Sequence, residues 1–348
     1  MKLPFVLMLS GIVLLFLGGI PGVLEFMSMQ GFPLNPTYNL FPAHWFIMIY
    51  GFFGALIGNE ILVALSVEWR GEQADDRIIL AFLVTTILGS VSFIFNRSIG
   101  LLFALISMFI LLMYSKEYLG YSKIGLKPMT YNYLLFFSIM ISTAILAIQI
   151  GLGYVIPYLN LVYPASLIIA VMNRDIALVT GVRVSRSWEN VLAFILLILG
   201  MSFYPHGWEF LILSWILSFH ASGLYKFKGR KYPIIHLFTA WLYLLLASIF
   251  VGNYDVCIHA IAVGFLFNTV FGVDVVLMDM FINAFGKRLV AKPSYIPFAI
   301  LNFGLIMRIL YDFGISLSFF ILSAPLQGIG IISFFVLTLR QIIKVRVR

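Results

Sequence analysis

Five histidines are the residues of this 348-residue sequence best suited to bind a metal or a cofactor. Neutral imidazole binds haem iron and copper, and axial haem ligation requires histidines from different helices at one depth. An arginine at the same level would neutralise a haem propionate through a charge-assisted hydrogen bond. His206 is expected in a turn, where an imidazole needs no ligand. The candidates for cofactor binding are His44, His236, His259 and Arg308, and those for direct metal binding are His44, His220, His236 and His259.

Acidic residues inside apolar segments form a second group of candidates. An ionisable side chain in the hydrocarbon layer costs about 2.5 to 3.5 kcal/mol on insertion scales, so Glu60 and Asp274 are candidates for a proton or ion site. Alternatively, Glu60 is a protonated carboxyl group that is hydrogen-bonded to a neighbouring helix. Asp274 would alternatively pair with Lys287 or Arg288. The same interpretation applies to Asp279.

The composition excludes a water-soluble protein. Hydrophobic residues make up 62% of the chain and charged residues 10%, with a mean hydropathy of +1.06, whereas soluble domains contain roughly 25% charged residues. Helices surrounded by lipid are therefore expected. The net charge of +8 does not indicate nucleic-acid binding, because the basic residues stand in short loops between apolar runs. The single cysteine, Cys257, excludes an internal disulfide and a cysteine-cluster metal site.

Twelve apolar runs are long enough to cross the bilayer as helices. We expect an all-α, polytopic transmembrane helical bundle of about twelve spans, formed by a single integral membrane domain over residues 1–348. The first run lacks an Ala-x-Ala cleavage site and is predicted to be retained. The predicted spans are 3–20, 43–67, 78–95, 99–114, 131–152, 157–173, 188–205, 207–224, 234–251, 255–277, 294–312 and 315–339.

The basic residues orient these spans. If the chain begins inside and crosses at each span, all but Arg97 and Arg308 of the 22 basic residues fall on the inner side. One span more or fewer would move every later loop to the opposite side and abolish this bias. We therefore expect a multi-pass protein of the plasma membrane with both termini in the cytoplasm.

The same orientation assigns a depth to each candidate residue. His44, His259 and Arg308 fall in the outer half of the membrane. His220 and His236 fall near its inner end. The predicted pocket therefore contains His44 and His259 as axial haem ligands and Arg308 as the partner of a propionate.

Three segments resemble the NnrS family, twelve-span bacterial membrane proteins reported to contain haem and copper and tied to the nitric-oxide response. Segment 43–55 (Ala-His-Trp-Phe-Ile-Met-Ile-Tyr-Gly-Phe-Phe-Gly-Ala) resembles the family's His-Ala-His-Glu-Met segment and the Gly-Phe that follows it. Segment 236–242 (His-Leu-Phe-Thr-Ala-Trp-Leu) is similar to its Leu-His-x-x-Tyr-Ala-Trp helix. Segments 259–264 (His-Ala-Ile-Ala-Val-Gly) and 286–289 (Gly-Lys-Arg-Leu) resemble its His-Ala-Leu-Thr-Val-Gly and Gly-His-Thr-Gly-Arg.

The resemblance implies a haem-binding membrane protein, because the order and spacing of these segments agree over most of the chain. Arg308 falls where that family places an arginine after an apolar run, and His236 is carried over as a second candidate site. Phe46 and Ile47 stand at the positions of the family's second histidine and its glutamate, and Lys287 stands beside Gly286 in place of the later histidine. The resemblance therefore implies haem more strongly than copper.

Our leading hypothesis is an NnrS-like haem-binding protein linked to nitric oxide or to respiratory redox metabolism. One alternative is a proton-coupled secondary transporter of a small solute, with Glu60, Asp274 and Arg308 along its route. Another is an accessory membrane subunit of a respiratory complex. The sequence contains no nucleotide-binding loop, His-Glu-x-x-His zinc motif or nucleophile elbow, and it leaves open whether the protein is an enzyme.

Overall fold

The computed structural model describes residues 3–32, 40–181, 186–226, 229–274, 293–315 and 318–346. Within these ranges every regular element is a helix, and no strand occurs. Lipid offers no hydrogen-bond partner to backbone N–H and C=O groups, and a helix satisfies them within one segment. The all-α prediction is therefore confirmed for the described part of the chain.

In those ranges, twelve helices of 15 residues or more lie at the positions of the twelve predicted spans. They are α1 (Leu3–Met29), α2 (Phe41–Arg70), α3 (Asp76–Phe95), α4 (Arg97–Tyr118), α5 (Thr130–Gly151), α6 (Pro157–Val179), α7 (Ser187–Ser202), α8 (Trp208–Ser222), α9 (Lys231–Ile249), α10 (Tyr254–Asp274), α11 (Ile296–Asp312) and α12 (Ser323–Arg346).

Length and apolarity distinguish two classes among these helices. Of the helices in the described ranges, nine are long and apolar enough to cross a membrane, namely α1 to α6, α9, α10 and α12. The other three, α7, α8 and α11, have 16, 15 and 17 residues, at or below the lower limit of about 17 residues for a spanning helix. The protein is a multi-pass, lipid-embedded membrane protein.

The first helix is longer than the predicted span 3–20, because it continues to Met29. Pro21 lies inside α1, where a proline removes one backbone hydrogen bond and kinks a helix without necessarily ending it. Apolar residues continue after it, and Phe26 is 3% exposed. Packing of this second half therefore extends α1 past the glycine-rich segment around Pro21.

The helices form two compact units, Met1–Val171 and Met172–Arg348, and the division falls within α6. In the first unit, α1 packs along α2 and α3 pairs with α4. In the second unit, α7 pairs with α8, α9 with α10, and α11 with α12. The single domain expected from the sequence stays a prediction.

A one-residue connection makes α3 and α4 a tight pair. Asn96 is extended, and its Oδ1 accepts a hydrogen bond from the N–H of Ile99 at 3.2 Å, which caps the start of α4. A Cβ atom at Gly100 would lie 2.5 Å from Cβ of Phe93. Glycine at this point therefore allows the two helices to approach closely.

Two helices, α2 and α10, contain π-helical segments. These segments are Ile47–Phe53 and Glu60–Ala64 in α2 and Ala260–Phe267 in α10. A π turn adds one residue to a helical turn and is frequent at functional sites. The first and third segments begin within one turn of His44 and His259, so both histidines stand at irregular points of their helices.

Candidate functional site

His44 is the fourth residue of α2, and its imidazole is held against α1. Nδ1 lies 2.7 Å from the carbonyl oxygen of Gly18. Because a carbonyl can only accept, Nδ1 carries the proton and Nε2 carries the lone pair. A Cβ atom at Gly22 would lie 2.6 Å from Cε1 of His44. Glycine at position 22 therefore provides the space that the ring occupies.

His259 is held in the same way near the start of α10. Its Nδ1 lies 2.8 Å from the backbone oxygen of Asp255, one turn earlier, and 3.4 Å from Oδ1 of the same residue. In the neutral ring Nδ1 donates, and Nε2 again carries the lone pair. Histidines that bind metals almost always donate their other ring N–H to a carbonyl or a carboxylate. Both predicted axial ligands therefore have the hydrogen bond expected of a metal-binding imidazole.

Arg308 in α11 binds the same aspartate. Its Nε and Nη2 both donate to Oδ2 of Asp255, at 2.9 and 2.5 Å. Oδ2 of Asp312 lies 3.5 Å from Nε, and the side chains of Arg308 and Asp312 are 11% and 8% exposed. Asp255 thus connects Arg308 to His259 within the second unit. A haem propionate, the predicted partner of Arg308, would have to compete with Asp255 for the guanidinium.

Sequence analysis does not identify Asp255 or Asp312. Each stands near one end of its helix. A charged residue at such a position is typical of the boundary of a span. The available signal is their spacing, because Asp255 precedes His259 by four residues and Asp312 follows Arg308 by four. Residues four apart lie on the same face of a helix, so each aspartate was a predictable neighbour of a candidate.

His236 lies in α9 and is fully buried. Its Nδ1 is 3.2 Å from Oδ1 of Asn268 in α10. Asn268 exchanges hydrogen bonds of 3.0 and 3.1 Å with Asn302 in α11. Within the described ranges, neither Nε2 of His236 nor the hydroxyl of Tyr232 has a hydrogen-bond partner. The second candidate site is therefore a buried imidazole. The amide of Asn268 orients it, and no described residue forms a hydrogen bond with its Nε2.

His220 lies near the end of α8 within a group of charged residues. Its Nδ1 is 2.9 Å from Oε2 of Glu189, and the guanidinium of Arg186 contacts both side chains. The imidazole also stacks on the ring of Tyr225. These contacts engage His220 in an ion-pair group at the ends of α7 and α8. His206 is exposed in the turn between these two helices, as its sequence position predicts.

Glu60 and Asp274 are both partly buried. Glu60 begins the second π segment of α2, and Asp274 is the last described residue of α10. The predicted partners of Asp274 lie in the segment 275–292, which is outside the described residues, as are Asp279 and the segment 286–289 of the resemblance. Both interpretations of Glu60 and of Asp274 therefore stay predictions.

A buried polar group in the first unit is also missed by sequence analysis. The hydroxyl of Tyr50, in the first π segment, donates to Oδ1 of Asn160 at 2.5 Å. Asn160 exchanges hydrogen bonds of 3.3 Å with Gln149. Hydrogen-bonded neutral groups cost much less to bury than charges. This group therefore joins α2, α5 and α6 without a charge. The one sequence feature that pointed to it was the presence of amide side chains in apolar runs.

A metal centre built from protein ligands alone requires several converging donors. In the described part of the chain, no group of three or more His, Cys, Asp or Glu side chains could hold a metal ion. Haem iron needs only one or two axial protein ligands, because the porphyrin supplies the others. The donor chemistry of His44 and of His259 therefore fits haem iron better than a copper ion held by protein side chains.

No family profile, curated protein or solved structure matches this chain. The resemblance to the NnrS family therefore stays a prediction from sequence motifs. The hydrogen bonds and burial of the candidate residues are the observations that bear on function.

Proposed function

We propose that this protein binds haem in the membrane, with His44 of the first unit and His259 of the second each a candidate axial ligand. The observation that supports it is the hydrogen bond from Nδ1 of each imidazole to a backbone carbonyl, at 2.7 and 2.8 Å. This bond selects the tautomer in which Nε2 is the donor atom and raises the basicity of the ring. The π segments that follow both histidines add support, because such segments are frequent at functional sites.

Bound haem would supply electron transfer or the binding of a diatomic gas such as nitric oxide. The residues of this chain would orient the imidazoles and exclude water. For His44, the ring of Phe41 stacks on the imidazole with centroids 5.9 Å apart, and Gly18 holds Nδ1. An NnrS-like role in nitric oxide response or respiratory redox metabolism rests on the sequence resemblance.

Arg308 is proposed as a positioning residue for this site. It neutralises Asp255, and the backbone carbonyl of Asp255 holds His259. His236 is proposed as a second ligand candidate for haem or copper, because Asn268 occupies its Nδ1 and no described residue bonds its Nε2. Arg308 would act through Asp255, whereas His236 would touch the bound group itself.

Purification of the full-length chain in mild detergent, from cells supplied with haem, tests the proposal. We expect a Soret absorption band that weakens in His44→Ala and in His259→Ala. His206→Ala is the matched control and should leave the spectrum unchanged, because this imidazole is exposed in a turn. A folded protein without colour would contradict the proposal.

A proton-coupled secondary transporter is the second candidate function. The group formed by Asp255, Arg308 and Asp312 favours it, since two carboxylates bind one guanidinium, and both the guanidinium and Asp312 are nearly buried. Oδ2 of Asp312 has no hydrogen-bond partner among the described residues. Ionisable groups inside membrane helices commonly mark proton and ion pathways, and a proton on one carboxyl would balance the charge of this group.

Proton influx into proteoliposomes that contain an entrapped pH dye tests the transport function. A solute gradient should drive influx in the wild type, and Asp312→Asn and Glu60→Gln should abolish it. Asp76→Asn is the control, because Asp76 is exposed at the start of α3. Influx that is unchanged in Asp312→Asn would exclude this role.

We further propose that the chain crosses the plasma membrane twelve times, with both termini in the cytoplasm. The short helices α7, α8 and α11 would then also be spans. The close pairing of α7 with α8 and of α11 with α12 supports this arrangement, as does the distribution of basic residues. A bilayer accommodates a short span by local thinning. Labelling of engineered cysteines with an impermeant maleimide tests the topology.

A further inference from the structure

A groove with a volume of 590 Å³ runs along α4 in the first unit. Its apolar wall consists mainly of Leu105, Ile106, Phe109, Ile110 and Met113 of α4. At one end it meets Arg70, the last residue of α2, together with Tyr114 and Glu117 at the end of α4. The helix rises about 18 Å between Leu105 and Glu117, which is close to the depth of one leaflet of hydrocarbon, about 15 Å.

Arg70 is a cation with unused hydrogen-bonding capacity at this end of the groove. Its guanidinium lies 3.3 Å from the hydroxyl of Tyr114, 3.5 Å from Glu72 and 3.8 Å from Glu117. Charge-assisted hydrogen bonds are shorter, about 2.7 to 2.9 Å. Within the described ranges Nε of Arg70 is buried and has no hydrogen-bond partner.

Oε1 of Glu72 is shared between two cations and lies closer to Lys123 than to Arg70. Nζ of Lys123 donates to Glu72 at 2.8 Å, and this hydrogen bond lowers the pKa of the Glu72 carboxyl. Glu117 is 53% exposed and lies 3.8 Å from Arg70. The groove therefore ends in one cation and one accessible carboxylate.

We propose that this groove binds an acyl chain of a membrane phospholipid whose headgroup carries a phosphate and a primary amine. The apolar wall lies on a helix long enough to cross the membrane. The acyl chains of the surrounding lipids are therefore the apolar ligands that can reach the groove. The phosphate oxygens would accept hydrogen bonds from Arg70 at the helix ends, where headgroups lie. The ammonium group would donate to Glu117. A zwitterion matches this pair of charges better than a headgroup with only a negative charge.

Native mass spectrometry of the delipidated full-length chain tests the headgroup assignment. The probes are phosphatidylethanolamine, phosphatidylglycerol and phosphatidylcholine with identical acyl chains. Retention of the ethanolamine lipid should exceed that of the other two about tenfold, the difference that one charge-assisted hydrogen bond makes. Equal retention of all three would overturn this assignment.

Two tryptophan variants test whether the lipid lies in the groove. Met113→Trp places bulk in the groove and should abolish retention. Leu102→Trp is the matched control, because both residues lie on α4 with similar exposure, 50% for Met113 and 53% for Leu102, and only Met113 lines the groove. Equal retention by the two variants would contradict binding in the groove, with or without bound haem.

Substitutions at the polar end separate the two headgroup contacts. Glu117→Gln should remove the preference for ethanolamine over glycerol, because only the ammonium binds Glu117. Arg70→Gln should lower the retention of all three lipids, because each carries a phosphate. An unchanged preference in Glu117→Gln would show that the amine binds elsewhere.

Discussion

Two glycines of α1 hold the imidazole of His44 in place. Gly18 provides the carbonyl that accepts the hydrogen bond from Nδ1, and Gly22 provides the space for the ring. We predict that Gly22→Ala turns the imidazole away, because the added Cβ would lie 2.6 Å from Cε1. The expected cost is about 1 to 3 kcal/mol in the free energy of unfolding, with a weaker Soret band.

The matched control for this substitution is Gly19→Ala. A Cβ atom at Gly19 has no neighbour within 4 Å, so both the unfolding free energy and the spectrum should be retained. Denaturation in mixed micelles and absorption spectroscopy measure the two effects. Equal unfolding free energies and equal spectra in Gly22→Ala and Gly19→Ala would contradict the described contact between His44 and Gly22.

Arg308→Gln should be strongly destabilising, by about 3 kcal/mol, because it leaves the nearly buried carboxylate of Asp312 and the half-buried carboxylate of Asp255 without their cation. Lys123→Gln is the comparison, because it removes a cation from an ion pair in which both side chains are more than half exposed. This second change should not measurably alter stability. Similar losses in the two variants would contradict a special role of the Arg308 ion pair.

The candidate residues themselves were predictable, because histidine and arginine interrupt uniformly apolar runs. Their partners were harder to predict. Gly18, which binds His44, is one of many glycines, and Asp255 and Asp312 resemble ordinary boundary charges. Which carbonyl or carboxylate meets a given imidazole depends on distances within and between helices, and hydropathy does not encode those distances.

At the scale of elements, the π segments of α2 and α10 distinguish these helices from ordinary spans. A π turn contains one extra residue, and in a run of apolar residues this insertion leaves the hydropathy pattern unchanged. The segments were therefore not predictable from the sequence. Their beginning within one turn of His44 and of His259 connects helix irregularity to the proposed ligands.

The amide pair formed by Asn268 and Asn302 joins α10 to α11. We predict that Asn268→Leu costs about 2 kcal/mol or more, because it removes the hydrogen-bond partner of Oδ1 of Asn302 and that of Nδ1 of His236. Asn302→Leu should cost less, because Asn268 keeps its bonds to His236 and to the backbone of Gly264.

Ser248→Ala is the control for the amide pair, because among the described residues the Ser248 hydroxyl binds only the carbonyl of Leu244 in its own helix. It should leave the unfolding free energy in mixed micelles nearly unchanged. The free energy of unfolding should therefore fall most in Asn268→Leu, less in Asn302→Leu and least in Ser248→Ala. A larger loss in Asn302→Leu than in Asn268→Leu would contradict the described network.

For the whole molecule, the topology proposal makes a direct prediction in a Cys257→Ala background, which removes the single native cysteine. Residue Tyr154 lies in the loop between α5 and α6. The cysteine of Tyr154→Cys should react with an impermeant maleimide on intact cells. Lys123→Cys lies in the loop between α4 and α5 and should react only after the membrane is permeabilised. Labelling of both positions from one side would contradict the proposed orientation.

The positions of the helices were predictable because the thickness of the hydrocarbon layer sets a minimum length for every apolar run. The extension of α1 to Met29 was not, because it depends on packing after Pro21. The division into two compact units was not predictable either, since it depends on contacts between helices that are distant in sequence. Composition therefore determines the medium and the positions of the described helices far better than the partners of a side chain.

Ligation of haem iron by an oriented imidazole is the central claim, and chemical rescue of His259→Gly tests it most directly. This variant removes the imidazole and leaves a space that free imidazole can enter. We predict a weakened Soret band in His259→Gly and recovery of the wild-type spectrum when imidazole is added. A folded His259→Gly protein whose spectrum matches the wild type, or whose altered spectrum does not respond to imidazole, would contradict the claim.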